Sequence, residues 1–211
     1  METYTVYVLL SRTHTGIGRL IRTFMRGRYN HVAIALDPSL LELYSFARLH
    51  IDAPLAGGFL RENPAHYLYG GHDAEVKLHK VEMSGESYAA FRRELARFLN
   101  DPAHMIYNLL DALYLPFGRR KCIKDAHTCV SFAAHMLDME QLNAVIDMEN
   151  ALRGKEIYCG SFREYLGETY GEEDLRRDEY FVRRGFWGAA RDTASHVRML
   201  YSRMKERKNG F

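Results

Sequence analysis

Ala126-His127-Thr128-Cys129-Val130-Ser131-Phe132-Ala133-Ala134-His135-Met136-Leu137 is the stretch whose reading decides the fold. A polar turn becomes an almost wholly apolar helix here, with one cysteine at the junction. Thr128 is the N-cap residue, which leaves Cys129 in the first turn, where free backbone N–H groups and the positive helix end favour a thiolate. A helix apolar nearly all round belongs in the centre of a fold, not on its surface. The competing reading is a structural cysteine, because free cysteine is among the most buried residue types. A base elsewhere in the chain has to decide between them.

Working outward, Pro116 to Asp125 is a basic turn (Arg119, Arg120, Lys121, Lys124), and Met105 to Leu115 read as a helix beginning near Tyr107-Asn108. Ser84 caps a helix to about Leu99, with Tyr88, Phe91, Leu95, Phe98 and Leu99 as its apolar stripe. Thr3 to Leu10 are β-branched and aromatic and form a buried strand; Ala74 to Met83 form another. Between them, His31 opens a strand that runs through Leu36, Asp37-Pro38-Ser39 turn the chain, and Leu40 to Phe46 return it. A tight turn pairs Leu36 with Leu41 and Ala35 with Glu42, which puts His31, Ala33, Ala35 and Glu42 on one face. Glu42 can then accept the imidazole N–H and fix its tautomer. A slip of one residue flips that face, so Tyr44 and Ser45 stay in play as the orienting group. Residues 52–73, rich in Gly and Pro, read as a long loop beside the sheet and the candidate lid over the site.

The chain has 211 residues, 47% hydrophobic and 27% charged, with a net charge of +2, which suits one soluble domain and no polyanionic partner. The N-terminus reads Met1-Glu2-Thr3-Tyr4, without a basic n-region or long apolar h-region. Three cysteines at unpatterned spacings make no disulfide framework, and a reduced, cytoplasmic protein is expected. His127, Cys122 and Cys159 lack the paired knuckles of a zinc site, and no phosphate-binding or dinucleotide fingerprint occurs, so no metal and no cofactor are expected. Arg19, Arg22 and Arg26 fall on one side of an amphipathic segment; they are a solvated face or a contact for an anionic partner or membrane surface. No nucleic-acid module is recognisable. Domain organisation reads as residues 1–170 with a charged, helical extension at 171–211, packed through Phe186, Trp187, Val197, Leu200 and Tyr201.

A thiol nucleophile needs a base, and the base needs an orienting group. Of ten histidines, His31 has the right setting; His127, two residues from Cys129, points elsewhere on a helix. The order of parts resembles the circularly permuted papain-like cysteine hydrolases, the YiiX/YebB-like branch of the NlpC superfamily, related to the lecithin–retinol acyltransferase group. The resemblance rests on Tyr29-Asn30-His31-Val32-Ala33-Ile34-Ala35-Leu36-Asp37, Leu43-Tyr44-Ser45-Phe46-Ala47-Arg48, Gly57-Gly58-Phe59, Tyr107-Asn108-Leu109 and Thr128-Cys129-Val130-Ser131-Phe132-Ala133, over residues 4–166. It implies an α+β fold with a small antiparallel sheet packed on the cysteine helix. It also implies a Cys129 nucleophile, a His31 base and a third member on the second strand, best matched by Glu42. Tyr107 or Asn108 would supply side-chain donors to an oxyanion beside the Cys129 N–H. The implied substrate is a peptide-like or small acyl compound carrying an amide, ester or thioester. A binding domain of the same fold, working through the Arg19/Arg22/Arg26 face, is the alternative.

Overall fold

A computed structural model describes residues 2–13, 27–114, 121–167 and 178–209. The Arg19/Arg22/Arg26 face and residues 116–120 of the basic turn before the cysteine helix lie outside these residues.

Among the described residues the architecture is α+β, with an eight-stranded mixed sheet and seven α-helices. Strands β1 (Thr3–Arg12), β2 (His31–Ala35), β3 (Leu43–Arg48) and β4 (Gly57–Glu62) form a meander. The short helix α1 (Ala65–Leu68) leads to β5 (Glu75–Ser84), which pairs along the whole of β1. Helix α2 (Gly85–Asn100) is followed by β6 (Ile106–Tyr107), α3 (Leu109–Tyr114) and β7 (Ala126–His127). The cysteine helix α4 (Cys129–Met136) comes next, then α5 (Val145–Ala151), β8 (Glu156–Ser161), α6 (Phe162–Leu166) and α7 (Gly185–Asn209). The sheet order is β7-β6-β4-β3-β2-β1-β5-β8, antiparallel throughout except for the parallel β6–β7 pair. It is therefore neither small nor purely antiparallel.

Helix α4 starts where its sequence says it should. The Thr128 side chain accepts from Ser131 N at 3.1 Å and Ser131 Oγ accepts from Thr128 N at 2.8 Å, a reciprocal cap. Cys129, Val130, Phe132, Ala133, Ala134 and Met136 are all buried. Phe132 anchors the helix, with its ring 5.4 Å from Phe46 of β3, 5.5 Å from Phe59 of β4 and 5.1 Å from Phe98 of α2. Each buried phenylalanine contributes about 1.5–3 kcal/mol, so this four-ring cluster fixes α4 on the sheet and the first residue of α4 with it. Ser84 caps α2 through Ser87 N, and Phe91, Leu95 and Phe98 form its inner stripe, whereas Leu99 lies outside it.

Three expectations fail. Residues 57–62 are a strand, not loop: Gly57 and Gly58 are present because the β6 backbone passes too close for a side chain. A Cβ on Gly57 would sit 2.7 Å from Tyr107 Cβ, and one on Gly58 2.6 Å from the Met105 carbonyl oxygen. The segment at 105–115 is divided, because Ile106 and Tyr107 join the sheet before Asn108 caps α3. In α7, only Leu200 of the five expected contact residues is buried; Phe186, Trp187, Val197 and Tyr201 face outward. Among the described residues no helix is long and apolar enough to cross a membrane.

Candidate active site

Cys129 is the first residue of α4 and 7% exposed, with the Thr128–Ser131 cap locking the turn that presents it. His31 opens β2. Its position is held by the β1 pairing, Ser11 opposite His31, and by Asn30, whose amide donates to the Ser11 carbonyl at 3.0 Å. The Cys129 thiol neighbours the His31 imidazole and favours its charged form. On the other side of the ring, Nε2 donates to Glu62 Oε1 at 2.8 Å. With Nε2 engaged, Nδ1 is the nitrogen left for the sulfur.

Glu62 is the last residue of β4, 3% exposed, and held by three donors. Ser45 Oγ and His31 Nε2 donate to Oε1; Tyr67 Oη, from α1, donates to Oε2. The β3–β4 register (Leu43 opposite Glu62, Ser45 opposite Leu60) puts Leu43, Ser45 and Glu62 on one face. Burial alone would raise the Glu62 carboxyl, but the charge and hydrogen bond of His31, the nearby His66 and the Ser45 hydroxyl outweigh it and hold Glu62 below the usual carboxylate range. His31 shows the converse: burial pulls its pKa down, yet the Glu62 charge and the bonds to Cys129 and Glu62 lift it well above an ordinary histidine. The imidazolium form is favoured beside the sulfur.

Glu42 is not in this cluster. The hairpin pairs Ile34 with Tyr44, one residue out of step with the register expected from a tight turn. Leu40 takes a left-handed conformation (φ 56°) in the longer turn. That single step carries Glu42, together with Tyr44, to the Ile34 face, where its carboxylate accepts from Tyr44 Oη at 2.9 Å and pairs with Arg61 at 3.2 Å. The same step removes Tyr44 from the His31 face and brings Ser45 onto it, where it supports Glu62.

Of the two oxyanion candidates, Tyr107 pairs with His127 across β6 and β7, two residues before the cysteine. Tyr107 stands where its hydroxyl is pushed up by burial and by the charges of Cys129 and Asp111. Asn108 is a cap: Oδ1 accepts from Asp111 N at 3.0 Å and Nδ2 donates to the Lys121 carbonyl at 2.6 Å. His127 packs among Phe46, Phe98 and His135, and burial and the neighbouring His135 lower its pKa to about 4. It does not face the thiol as a base.

Sequence reasoning missed Glu62 and Tyr67. Both lie inside the Gly/Pro-rich stretch read as a loop. The available signal was the doublet Gly57-Gly58 followed by Phe59-Leu60, which reads as a strand with a close neighbour once Gly is allowed inside strands. Around the cluster, residues 178–185 pack against the 48–66 segment. Asn63 Nδ2 and His66 Nε2 donate to Asp178 at 2.7 Å, the His66 and Tyr180 rings stack at 4.2 Å, and Arg48 donates to Tyr180 Oη at 2.7 Å. Among the described residues no group of three or more His, Cys, Asp and Glu has a metal-binding arrangement.

Comparison of the chain with models of known protein families, with curated proteins and with solved structures finds no match.

Proposed function

We propose that the chain is a cysteine-dependent hydrolase or acyl transferase with a permuted papain-like fold, acting on an amide, ester or thioester bond through Cys129, His31 and Glu62. The observation that carries this reading is the buried imidazole bonded to Glu62 on one side and facing the Cys129 thiol on the other, with the three residues supplied by three separate elements. A structural cysteine has no use for a carboxylate-oriented histidine held in its charged form.

In this mechanism the Cys129 sulfur, paired with the His31 imidazolium, attacks the carbonyl carbon. The resulting oxyanion accepts from the Cys129 N–H, which lies at the first helical position outside the intrahelical ladder, and from Tyr107 Oη. His31 gives its proton to the departing amine, alcohol or thiol, leaving a thioester on Cys129. The now neutral imidazole takes a proton from water or another acceptor, which attacks the thioester and returns sulfur to its paired state. Glu62 keeps its charge throughout; it fixes the ring and stabilises the imidazolium. The substrate this reading favours is a peptide-like or lipid-derived acyl compound.

The test uses internal controls. Cys122 and Cys159 are exposed and Cys129 is buried, so labelling that follows exposure favours the first two. Iodoacetamide labelling at a series of pH values, mapped by mass spectrometry, is expected to modify Cys129 first and below pH 8, and His31→Ala is expected to abolish that preference. Labelling of Cys129 no faster than the two exposed thiols overturns the reading. A panel of chromogenic esters and thioesters then gives the bond class, with Cys129→Ala expected to abolish turnover.

A further inference from the structure

Helix α7 is built with two faces, and only one of them is used by the fold. Taking 100° per residue, His196, Leu200 and Arg203 share one side. His196 and Leu200 are buried; His196 Nε2 donates to the Tyr107 carbonyl at 2.9 Å, and Arg203 donates to the carbonyls of His104, Lys124 and Asp125. The opposite side carries Phe186, Trp187, Ala190, Ala194, Val197 and Tyr201, all exposed. Phe186 is 78%, Trp187 81%, Val197 49% and Tyr201 69% exposed, and the Phe186 and Trp187 rings pack edge to face at 5.2 Å in open solvent. A soluble surface rarely gathers two aromatic rings, a tyrosine and a valine on one unpartnered stripe.

The edge of that stripe is basic. Arg191, Arg198 and Lys205 recur at intervals of seven residues and are all exposed. The one acidic residue from Gly185 to Lys205 is Asp192, on the other side of the helix; it pairs with Arg184 at 2.9 Å, with Arg191 at a looser 3.9 Å. From Phe186 to Tyr201 the stripe runs straight for about 22 Å at 1.5 Å per residue. A long flat face is suited to a plane, not to a pocket. Trp and Tyr prefer the boundary between hydrocarbon and water, and long basic side chains reach from an apolar stripe to headgroup phosphates. We infer that the outward face of α7 seats this protein on an anionic lipid surface, with the Phe186–Trp187 pair entering the headgroup boundary and Arg191, Arg198 and Lys205 meeting the phosphates. The contact is peripheral, since among the described residues no helix can cross a bilayer. The geometry that supports it is independent of the Cys129 site.

Trp187 is the sole tryptophan of the chain, so its fluorescence reports this contact alone. The full-length protein is titrated with phosphatidylcholine vesicles and with phosphatidylcholine–phosphatidylglycerol vesicles, reading Trp emission and co-sedimentation. A blue shift and sedimentation with the anionic vesicles only, weakening as salt rises, is the expected result. Arg191→Glu/Arg198→Glu is expected to weaken binding roughly tenfold or more, and Phe186→Ser/Tyr201→Ser to abolish the blue shift while keeping the reporter. All four positions are exposed, so unchanged melting temperatures verify that the variants fold. Absence of a shift with either vesicle overturns the inference, and so does equal binding to neutral vesicles. A shift that grows with protein concentration without lipid identifies the occupant as a second copy and also overturns it.

Discussion

Glu42 and Glu62 make a clear contrast at the scale of single residues. Both are carboxylates near the β2–β4 meander, yet one is solvated and the other is buried under three donors. Glu62→Gln removes the charge that holds the buried imidazolium and is expected to cost about 3 kcal/mol, as for breaking a buried pair by one partner. Glu42→Gln is expected to cost less than about 0.5 kcal/mol, because an exposed pair with Arg61 is largely screened. Chemical denaturation of the two variants separates them, and equal losses would remove the basis for the Glu62 assignment. The effect also depends on pH. The folded pKa of His31 is raised, so its contribution is complete below the unfolded value of about 6.5 and fades as pH rises through the folded value. Glu62 is depressed, so its contribution is present above about 4.3 and lost as pH falls through the folded value. The gap between wild type and Glu62→Gln should therefore be widest between about pH 4.3 and 6.5 and narrow on the alkaline side. Tyr67→Phe strips Oε2 of its donor and is expected to cost about 1–3 kcal/mol, with slower Cys129 alkylation as the readout that a purely structural role would not move.

Among the elements, the cysteine helix was legible because its determinants are local: Thr128 and Ser131 are three residues apart, and its apolar surround announces burial. The His31 strand was legible for the same reason, through its β-branched run and its turn. Strand β4 was not, because Gly57-Gly58-Phe59-Leu60-Arg61-Glu62 alternates poorly and begins with two residues that ordinarily break strands. Its identity depends on β6, some 48 positions later in the chain, approaching too closely for a Cβ. The hairpin register failed in the same way, since Leu40 takes a left-handed turn that no leucine advertises. Nothing local distinguishes pairing Ala35 with Glu42 from the observed Ile34–Tyr44 register, yet that one step decides which acid reaches the histidine. The close approach itself can be tested. Gly58→Ala places a methyl against the Met105 carbonyl, where backbone and not a flexible side chain must give way, and is expected to cost about 1–3 kcal/mol. Because β6 carries Tyr107, the same variant should also slow modification of Cys129; hydrogen exchange at Phe59 and Ile106 locates the damage.

For the whole molecule, α7 ties the far edge of the sheet to the chain end, while the opposite edge rests on the β5–β8 pairing, and buried histidines sit in both regions. His79, opposite Val8 on β5, is fully buried; neither ring nitrogen has a well-formed hydrogen bond, the Val8 backbone offering only a weak one, and burial lowers its pKa. His196 on the inner face of α7 is lowered by burial, and His127 beside β6 is lowered to about 4 by burial and His135. A histidine depressed in the folded state stabilises fully above its unfolded value of about 6.5, and that contribution drains away as pH falls below it. Below that value His31 is protonated in both states and adds no slope, and above it the His31 contribution begins to fade. Stability should accordingly peak near pH 6.5 and decline toward acid, by up to about 1.4 kcal/mol per pH unit for each proton taken up on unfolding. The decline begins well before the carboxylates titrate. His79→Leu isolates the effect, because it replaces an unsatisfied buried ring by an apolar side chain that needs no partner. It is expected to stabilise the fold by about 1–3 kcal/mol at neutral pH and to remove one proton from the acid slope. Urea denaturation midpoints from pH 4.5 to 8 measure both. A His79→Leu curve parallel to wild type across that range would mean that this ring titrates alike in both states, and the acid sensitivity would then belong to His127 and His196 alone.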